Sequence, residues 1–274
     1  FVDQSSDWVG EIRWDVNDQV EITASHQVNK FYGTDIGRYY LDYAGLASNL
    51  YYSTPFGSED GLYALSATTV VEYDNHYEKT DVIAQINDLF ELPAGSAAMV
   101  VGYEGFDNIY SAAYDKHSEG GYVGGSAGNS GYGSRSVDSY FAEILLPVAT
   151  GLELNAAVRS DDYDDVGGND SFKVGVLWAG DKGTTIKANT GTGFRAPTMD
   201  TLYGVTTFSA NTAYDYLACA NAGTSEANCP SKQVSTLISA NSQLGAETSE
   251  GVTFSIAQDL GELTDALQGV TIRA

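Results

Sequence analysis

Alternation with a period of two constrains this chain more than any other feature. In Leu152-Glu153-Leu154-Asn155-Ala156-Ala157-Val158-Arg159, one face carries Leu152, Leu154, Ala156 and Val158. The other face carries Glu153, Asn155, Ala157 and Arg159. Phe172, Val174, Val176 and Trp178 then oppose Ser171, Lys173 and Gly175, and Ile186, Ala188, Thr190 and Phe194 oppose Lys187, Asn189, Gly191 and Gly193. Val252, Phe254 and Ile256 repeat the pattern against Thr253 and Ser255, as do Val270 and Ile272 against Thr271 and Arg273. Successive side chains of a strand point to opposite faces, so these runs read as strands with one apolar and one polar face.

Weaker alternation at Trp8–Val16, Val20–Val28, Leu62–Tyr73, Asp81–Glu91, Ala97–Glu104 and Tyr140–Val148 brings the expected number to roughly 11 strands of about 9–11 residues. Ordinary strands run about 5–6 residues, so these are long. A polar face that includes Lys and Glu suits a sheet with hydrocarbon on one side and water on the other.

The connections alternate in length. Leu146–Gly151, Ala179–Gly183 and Leu92–Ser96 read as tight turns, while 29–60, 105–136, the shorter 160–170 and 195–248 read as polar loops. Short turns at one rim and long loops at the other describe an outer-membrane barrel. Two aromatic groups fit the girdles of such a barrel: Tyr39, Tyr40, Tyr43, Tyr51 and Tyr52, and a second set at Trp14, Tyr103, Tyr140, Tyr163, Trp178 and Phe194.

Charge narrows the function. With 37 acidic and 13 basic residues among 274, the net charge is −24. A nucleic-acid partner needs clustered Lys and Arg, and anionic headgroups need a basic surface, so both are excluded as electrostatic partners. No run of apolar residues is long enough for a membrane-crossing helix. No basic-then-apolar leader stands at Phe1, so processing removed one or the chain begins inside a longer protein.

Cys219 and Cys229 are too few for a disulfide framework and form neither a C-x-x-C pair nor a metal quartet. They read as one bridge across a polar loop, which implies an oxidising compartment, with two free thiols as the bland alternative. Gly124-Gly125-Ser126-Ala127-Gly128 matches a nucleophile elbow but lies inside a Gly-Ser loop without strand, helix or activating His. Gly191–Ala196 matches a dinucleotide fingerprint, yet Pro197 and a polar loop follow where a helix is required. His26, His76 and His117 are isolated. The run Asp161-Asp162-Tyr163-Asp164-Asp165 departs from the EF-hand order and reads as a solvated loop, leaving any metal ligand set unknown.

At Gly193-Phe194-Arg195-Ala196-Pro197, followed by Leu202-Tyr203, the chain resembles the TonB-dependent outer-membrane receptors, where a barrel strand runs into a long outer loop. Tyr140–Pro147, Ala157–Tyr163 and Asn241–Gly251 resemble further family stretches in the expected order, with Ala246 where the family has Pro. The resemblance implies an all-β fold, a transmembrane antiparallel β-barrel of about 22 strands around an N-terminal plug. Spread over such a barrel, 274 residues leave about 12 per strand, with nothing for loops or plug. Residues 1–274 are therefore expected to be part of the barrel domain, roughly half of it, continuing beyond both ends with the plug absent.

The resemblance also implies a function without covalent chemistry: import of a siderophore, corrinoid or oligosaccharide, with TonB acting through the plug and no cofactor. Lipid and lipopolysaccharide would surround the barrel, with the long loops extracellular. Loop tyrosines, among them Tyr114, Tyr122, Tyr214 and Tyr216, are the candidate ligand contacts, because Tyr offers a flat surface with a polar tip, with packing of the loops on one another as the alternative for each. A soluble carbohydrate-binding sandwich and a passive porin are the competing expectations.

Overall fold

The structure, a computed structural model, describes residues 2–43, 45, 59–124 and 128–274. Its first elements are β1 (Val2–Asn17), β2 (Val20–Leu41), α1 (Glu59–Ala64), β3 (Ser66–Ile86), β4 (Glu91–Leu92), β5 (Gly95–Ser96) and β6 (Ala98–Tyr114). Next come α2 (Lys116–Glu119), β7 (Gly131–Ala149), β8 (Leu152–Tyr163), β9 (Gly167–Ala179) and β10 (Thr184–Arg195). The last are α3 (Met199–Tyr203), β11 (Thr207–Tyr214), α4 (Tyr216–Asn221), β12 (Ser231–Ile238), β13 (Glu247–Asp259) and β14 (Thr271–Arg273).

Ten strands form one sheet in the order β1-β2-β3-β6-β7-β8-β9-β10-β13-β14. Every pairing in it is antiparallel, so the chain meanders up and down. The small hairpins β4–β5 and β11–β12 stand outside it.

Register turns the sequence alternation into a surface. One row of cross-strand neighbours runs Trp14, Ile22, Ala84, Val101, Ala142, Val158 and Phe172. Four residues along the strands from it, Leu154, Val176, Ala188 and Phe254 form another row on the same face. None of these side chains is buried, and the largest are open: Trp14 is 60% exposed and Phe254 66%. A sandwich would bury such a face against a second sheet. Here one ten-stranded sheet carries it outward, which overturns the soluble-sandwich expectation.

The aromatic girdle is partly where expected. Trp14 and Trp178 sit on the apolar face beside the short turns, and Tyr103 and Tyr140 sit on it toward the long loops, their rings 5.2 Å apart. Along β8, the residues opposite Trp178 and Tyr140 are Leu152 and Ser160, which places the two levels roughly 26 Å apart along the strand. Tyr163 and Phe194 instead pack on each other, with ring centroids 5.4 Å apart. Tyr39 and Tyr40 lie at the far end of β2, roughly 50 Å along the strand from Ala24, too far for a girdle. Tyr43 follows β2, and Tyr51 and Tyr52 lie outside the described residues.

The main sheet has ten strands against roughly 11 expected, and most of them are longer than expected. β2 and β3 run 22 and 21 residues, and β3 merges the two strands expected at Leu62–Tyr73 and Asp81–Glu91. Between them lies Asp74-Asn75-His76-Tyr77-Glu78-Lys79-Thr80, polar on both faces, so the alternation vanishes although the ladder continues. Likewise 29–41, 105–114, 131–136 and all of 160–170 except the turn 164–166, expected as loop, are strand. Ladder hydrogen bonds do not need an apolar face, so the wall rises past its apolar band into water.

Candidate functional site: the polar wall and its clasp

On the other face, β2, β3, β6, β7 and β8 present one continuous polar wall. Its carboxylates are Glu21, Asp35, Asp81, Glu104, Glu143, Glu153 and Asp161, and its cations are Lys79, Arg135 and Arg159.

Lys79 and Arg159 share Glu104. The Lys79 Nζ is 2.8 Å from Glu104 Oε2 and 3.0 Å from Asp81 Oδ1. The Arg159 Nη2 is 2.9 Å from Glu104 Oε1, and its Nε is 2.7 Å from Asp161 Oδ1. The Ser139 hydroxyl donates to Asp161 at 2.5 Å and the Ser25 hydroxyl to Asp81 at 3.1 Å. The belt thus joins five neighbouring strands. Half-buried charges survive only when each finds a partner, and here every one does.

Farther toward the long loops the wall turns aromatic. Cross-strand rows read Phe31–Asn75–Tyr110, then Gly33–Tyr73–Ala112, then Asp35–Val71–Tyr114. Tyr73 is thus flanked by two small residues, with Tyr110 and Tyr114 diagonal to it. Burial, helped by a hydrogen bond with Tyr114, pushes the Tyr73 phenol up to about 12. It therefore stays neutral at any physiological pH. The Oδ1 of Asn75 is buried without a hydrogen-bond partner.

The family-like motif forms a clasp beside this patch. The Arg135 Nε lies 3.0 and 2.9 Å from the two carboxylate oxygens of Asp165, and its Nη2 lies 2.7 Å from Asp165 Oδ2. The same Nη2 donates to the Pro197 carbonyl at 2.8 Å, and the guanidinium sits 5.5 Å from the Tyr163 ring centroid. Tyr203 donates its hydroxyl to Asp165 at 3.3 Å. The Arg135 and Asp165 side chains are only 10% and 6% exposed. Fork-to-carboxylate geometry of this kind needs Arg rather than Lys.

Short α3 follows the clasp, burying Met199 and Leu202. The Tyr203 ring occupies the space that a Cβ on Gly133 would need, and Gly131 bridges to Gly204. The amide of Asn241, on the returning limb of the loop, donates to Thr201 at 2.9 Å. Of the motif residues, Phe194, Pro197, Leu202 and Tyr203 thus serve this packing. Gly193 and Arg195 pair with Ser249 and Glu247 in the β10–β13 ladder, and Ala196 leads out of β10.

The run Asp161–Asp165 is not a free solvated loop. Asp161 and Asp162 belong to β8, Asp165 is held by Arg135, and Asp164 accepts from the Ser136 amide at 3.0 Å. Asp161 was legible only as part of that run, and Lys79, Glu104 and Arg135 were missed. Their partners lie 25, 30 or 55 residues away in sequence, and only register joins them. The available signal was Lys79-x-Asp81 and Arg159-x-Asp161, opposite charges two apart on one strand face.

The four singled-out tyrosines divide between places. Tyr114 ends β6, and Tyr122 packs edge-on to His117 beyond α2. Tyr214 and Tyr216 stack with rings 5.7 Å apart, half exposed, where β11 meets α4. Cys219 and Cys229 are bonded, stapling α4 to the turn before β12. Gly125, Ser126 and Ala127 of the elbow match lie outside the described residues.

Two grooves flank β8. One of about 510 Å³ lies mainly among Tyr140, Ala142, Val158 and Phe172 of the apolar face and suits hydrocarbon. The other, about 320 Å³, includes Glu104, Glu143, Arg159 and Lys173 of the polar wall.

Residues 2–269 match the family model described as TonB dependent receptor-like, beta-barrel. No curated protein matches the chain. Among solved structures, the RagAB peptide transporter has a TM-score of 0.56 at 13% identity, over 93% of this chain and 28% of that one. The RagAB peptide importer in its "closed-closed" state gives 0.55 at 12% identity, over 93% and 28%. The siderophore receptor PirA from Acinetobacter baumannii gives 0.49 at 16% identity, over 93% and 41%. The chain therefore spans less than half the length of each of these structures. The likeness to RagAB is one of fold. The chain belongs to the TonB-dependent receptor β-barrel family, and its sheet is part of such an outer-membrane barrel.

Proposed function

We propose that this chain is the wall of a receptor that imports a scarce, large solute through the outer membrane with energy supplied by TonB. The apolar face (Leu154, Ala156, Val174, Ile186, Phe254, Ile272) touches lipid and lipopolysaccharide. The polar face (Glu153, Asn155, Arg159, Lys173, Lys187, Asn189, Thr253, Arg273) faces the lumen and a plug supplied by the rest of the protein. The long-loop rim is extracellular, and Tyr114, Tyr122, Tyr214 and Tyr216 belong to the surfaces that capture the solute.

The observation that carries this reading is the division of one ten-stranded sheet into an apolar and a charged face, with its three longest connections, β2–β3, β6–β7 and β10–β13, at one rim. No step requires covalent chemistry, because capture and release follow from binding and from movement of the plug. A siderophore, a corrinoid or an oligosaccharide fits a receptor of this size, and RagAB and PirA, by their descriptions, handle a peptide and a siderophore.

The test is uptake by cells expressing the full-length protein, with and without TonB. The solutes offered are a ferric siderophore, cobalamin, maltohexaose and a short peptide. Accumulation of one of them that stops when TonB is deleted supports the reading. Accumulation unaffected by TonB marks a passive porin and overturns it.

A further inference from the structure

The aromatic patch above the ion belt has a chemistry that selects among solutes. Its rows place the phenols of Tyr73, Tyr110 and Tyr114, the carboxylate of Asp35 and the orphan Oδ1 of Asn75 on one face of β2, β3 and β6. The clasp brings α3 alongside: Gly131 would place a Cβ 3.5 Å from the Tyr110 ring, and it bridges to Gly204 at the end of α3. Asp200, in the first turn of α3, contributes the second carboxylate close enough to act on the Tyr110 phenol.

Charge is one-sided here. Lys79, Arg135 and Arg159, the basic side chains that β3, β7 and β8 present on this face, each already hold at least one carboxylate within 3.0 Å. Asp35 and Asp200 are exposed and enter no ion pair among the described residues. The six patch residues therefore offer aromatic rings, phenols and unneutralised acceptors and no cation of their own; the exposed Arg38 and Lys116 lie three and two residues along the chain from Asp35 and Tyr114. Ring faces and carboxylates attract a cation together. A net charge of −24 adds a long-range field of the same sign, which draws cations in and slows anions.

We propose that the patch formed by Tyr73, Tyr110, Tyr114, Asp35, Asp200 and Asn75 binds a cationic group, and that the solute is an amine- or guanidinium-bearing molecule such as a basic peptide. This rests on the import-receptor reading and narrows its substrate class. A strongly anionic ferric catecholate meets two open carboxylates on the patch itself. A neutral sugar gains nothing from the field.

The experiment is calorimetric binding to the full-length receptor in nanodiscs, using an acetylated, amidated Gly-Lys-Gly-Lys-Gly-Lys hexapeptide and its Glu counterpart. The lysine peptide is expected to bind at least about tenfold tighter, with an affinity that falls as salt rises. Asp35→Asn with Asp200→Asn is expected to weaken it about tenfold more, and the Asp→Glu pair to retain it. Both carboxylates are exposed, so both variants keep the heat-modifiable gel shift of a folded barrel. Absent binding of the lysine peptide, equal binding of the glutamate peptide, or an unchanged affinity in the Asn pair overturns the proposal. TonB-dependent uptake of an anionic solute would overturn it while leaving the import reading intact. Lysine-peptide binding without any TonB-dependent uptake would do the reverse.

Discussion

At the scale of single residues, the clasp shows what was and was not legible. Phe194, Pro197, Leu202 and Tyr203 were readable as a motif, but the Arg135–Asp165 pair that holds Pro197 and Tyr203 is marked by no local pattern. Removing Arg135 leaves the Asp165 carboxylate buried without its partner, a change that costs roughly 3–5 kcal/mol in comparable sites. Arg135→Ala is expected to release residues 196–204, seen as faster amide exchange there. Arg135→Lys should recover part of the protection, since it keeps the charge and loses the fork. Exchange identical to wild type in Arg135→Ala would show that the clasp holds nothing. A second residue-scale test is Asp115. Burial opposes its ionisation, but hydrogen bonds from the Val70 amide, the Ser118 hydroxyl and the Ser118 and His117 amides prevail, so its pKa is lowered. A depressed carboxylate contributes its stability above the unfolded pKa, near 3.9, and loses it as pH falls through the lower folded value. Protease resistance around residues 115–124 should therefore fall in acid below about pH 4, and in Asp115→Asn it should be lower already at neutral pH. A wild-type resistance flat down to pH 2 would contradict this.

At the scale of elements, strands were legible where one face is apolar and illegible where both are polar. Leu152–Arg159 alternates cleanly and is strand, whereas Asp74–Thr80 is equally strand and shows no pattern. The alternation reports the membrane, and the hydrogen-bonded ladder extends beyond it. Val174 lies midway along the apolar stretch of β9, between Trp178 and Asp170. Val174→Arg there is expected to cost about 2–4 kcal/mol of barrel stability, against less than about 0.5 for Lys173→Gln on the opposite face. Urea-induced loss of the heat-modifiable band measures both, and equal costs would mean that the two faces see the same solvent. The disulfide belongs to this scale too. It closes a loop with a sequence separation of 10, outside the main sheet. Reduction should expose residues 215–230 to protease while the barrel keeps its gel mobility; loss of the barrel band would tie the staple to the wall.

At the scale of the whole molecule, the net charge of −24 and the exposed apolar face are parts of one design. Apolar side chains occupy a band on one face, and the acids populate the polar wall, the rims and the strand extensions above that band. Fold class was legible because a barrel wall repeats one local rule strand after strand. The belt and the tyrosine patch were not, because they depend on register between distant strands. Whether the sheet separates lipid from water is tested most directly by spin labels at successive positions 171–178 of the full-length protein in liposomes. Collision with oxygen and with a water-soluble nickel reagent is then compared along β9. Labels at 172, 174, 176 and 178 should favour oxygen and those at 171, 173 and 175 the nickel reagent. Accessibility without that two-residue alternation, or with every position open to nickel, would contradict a membrane-spanning wall.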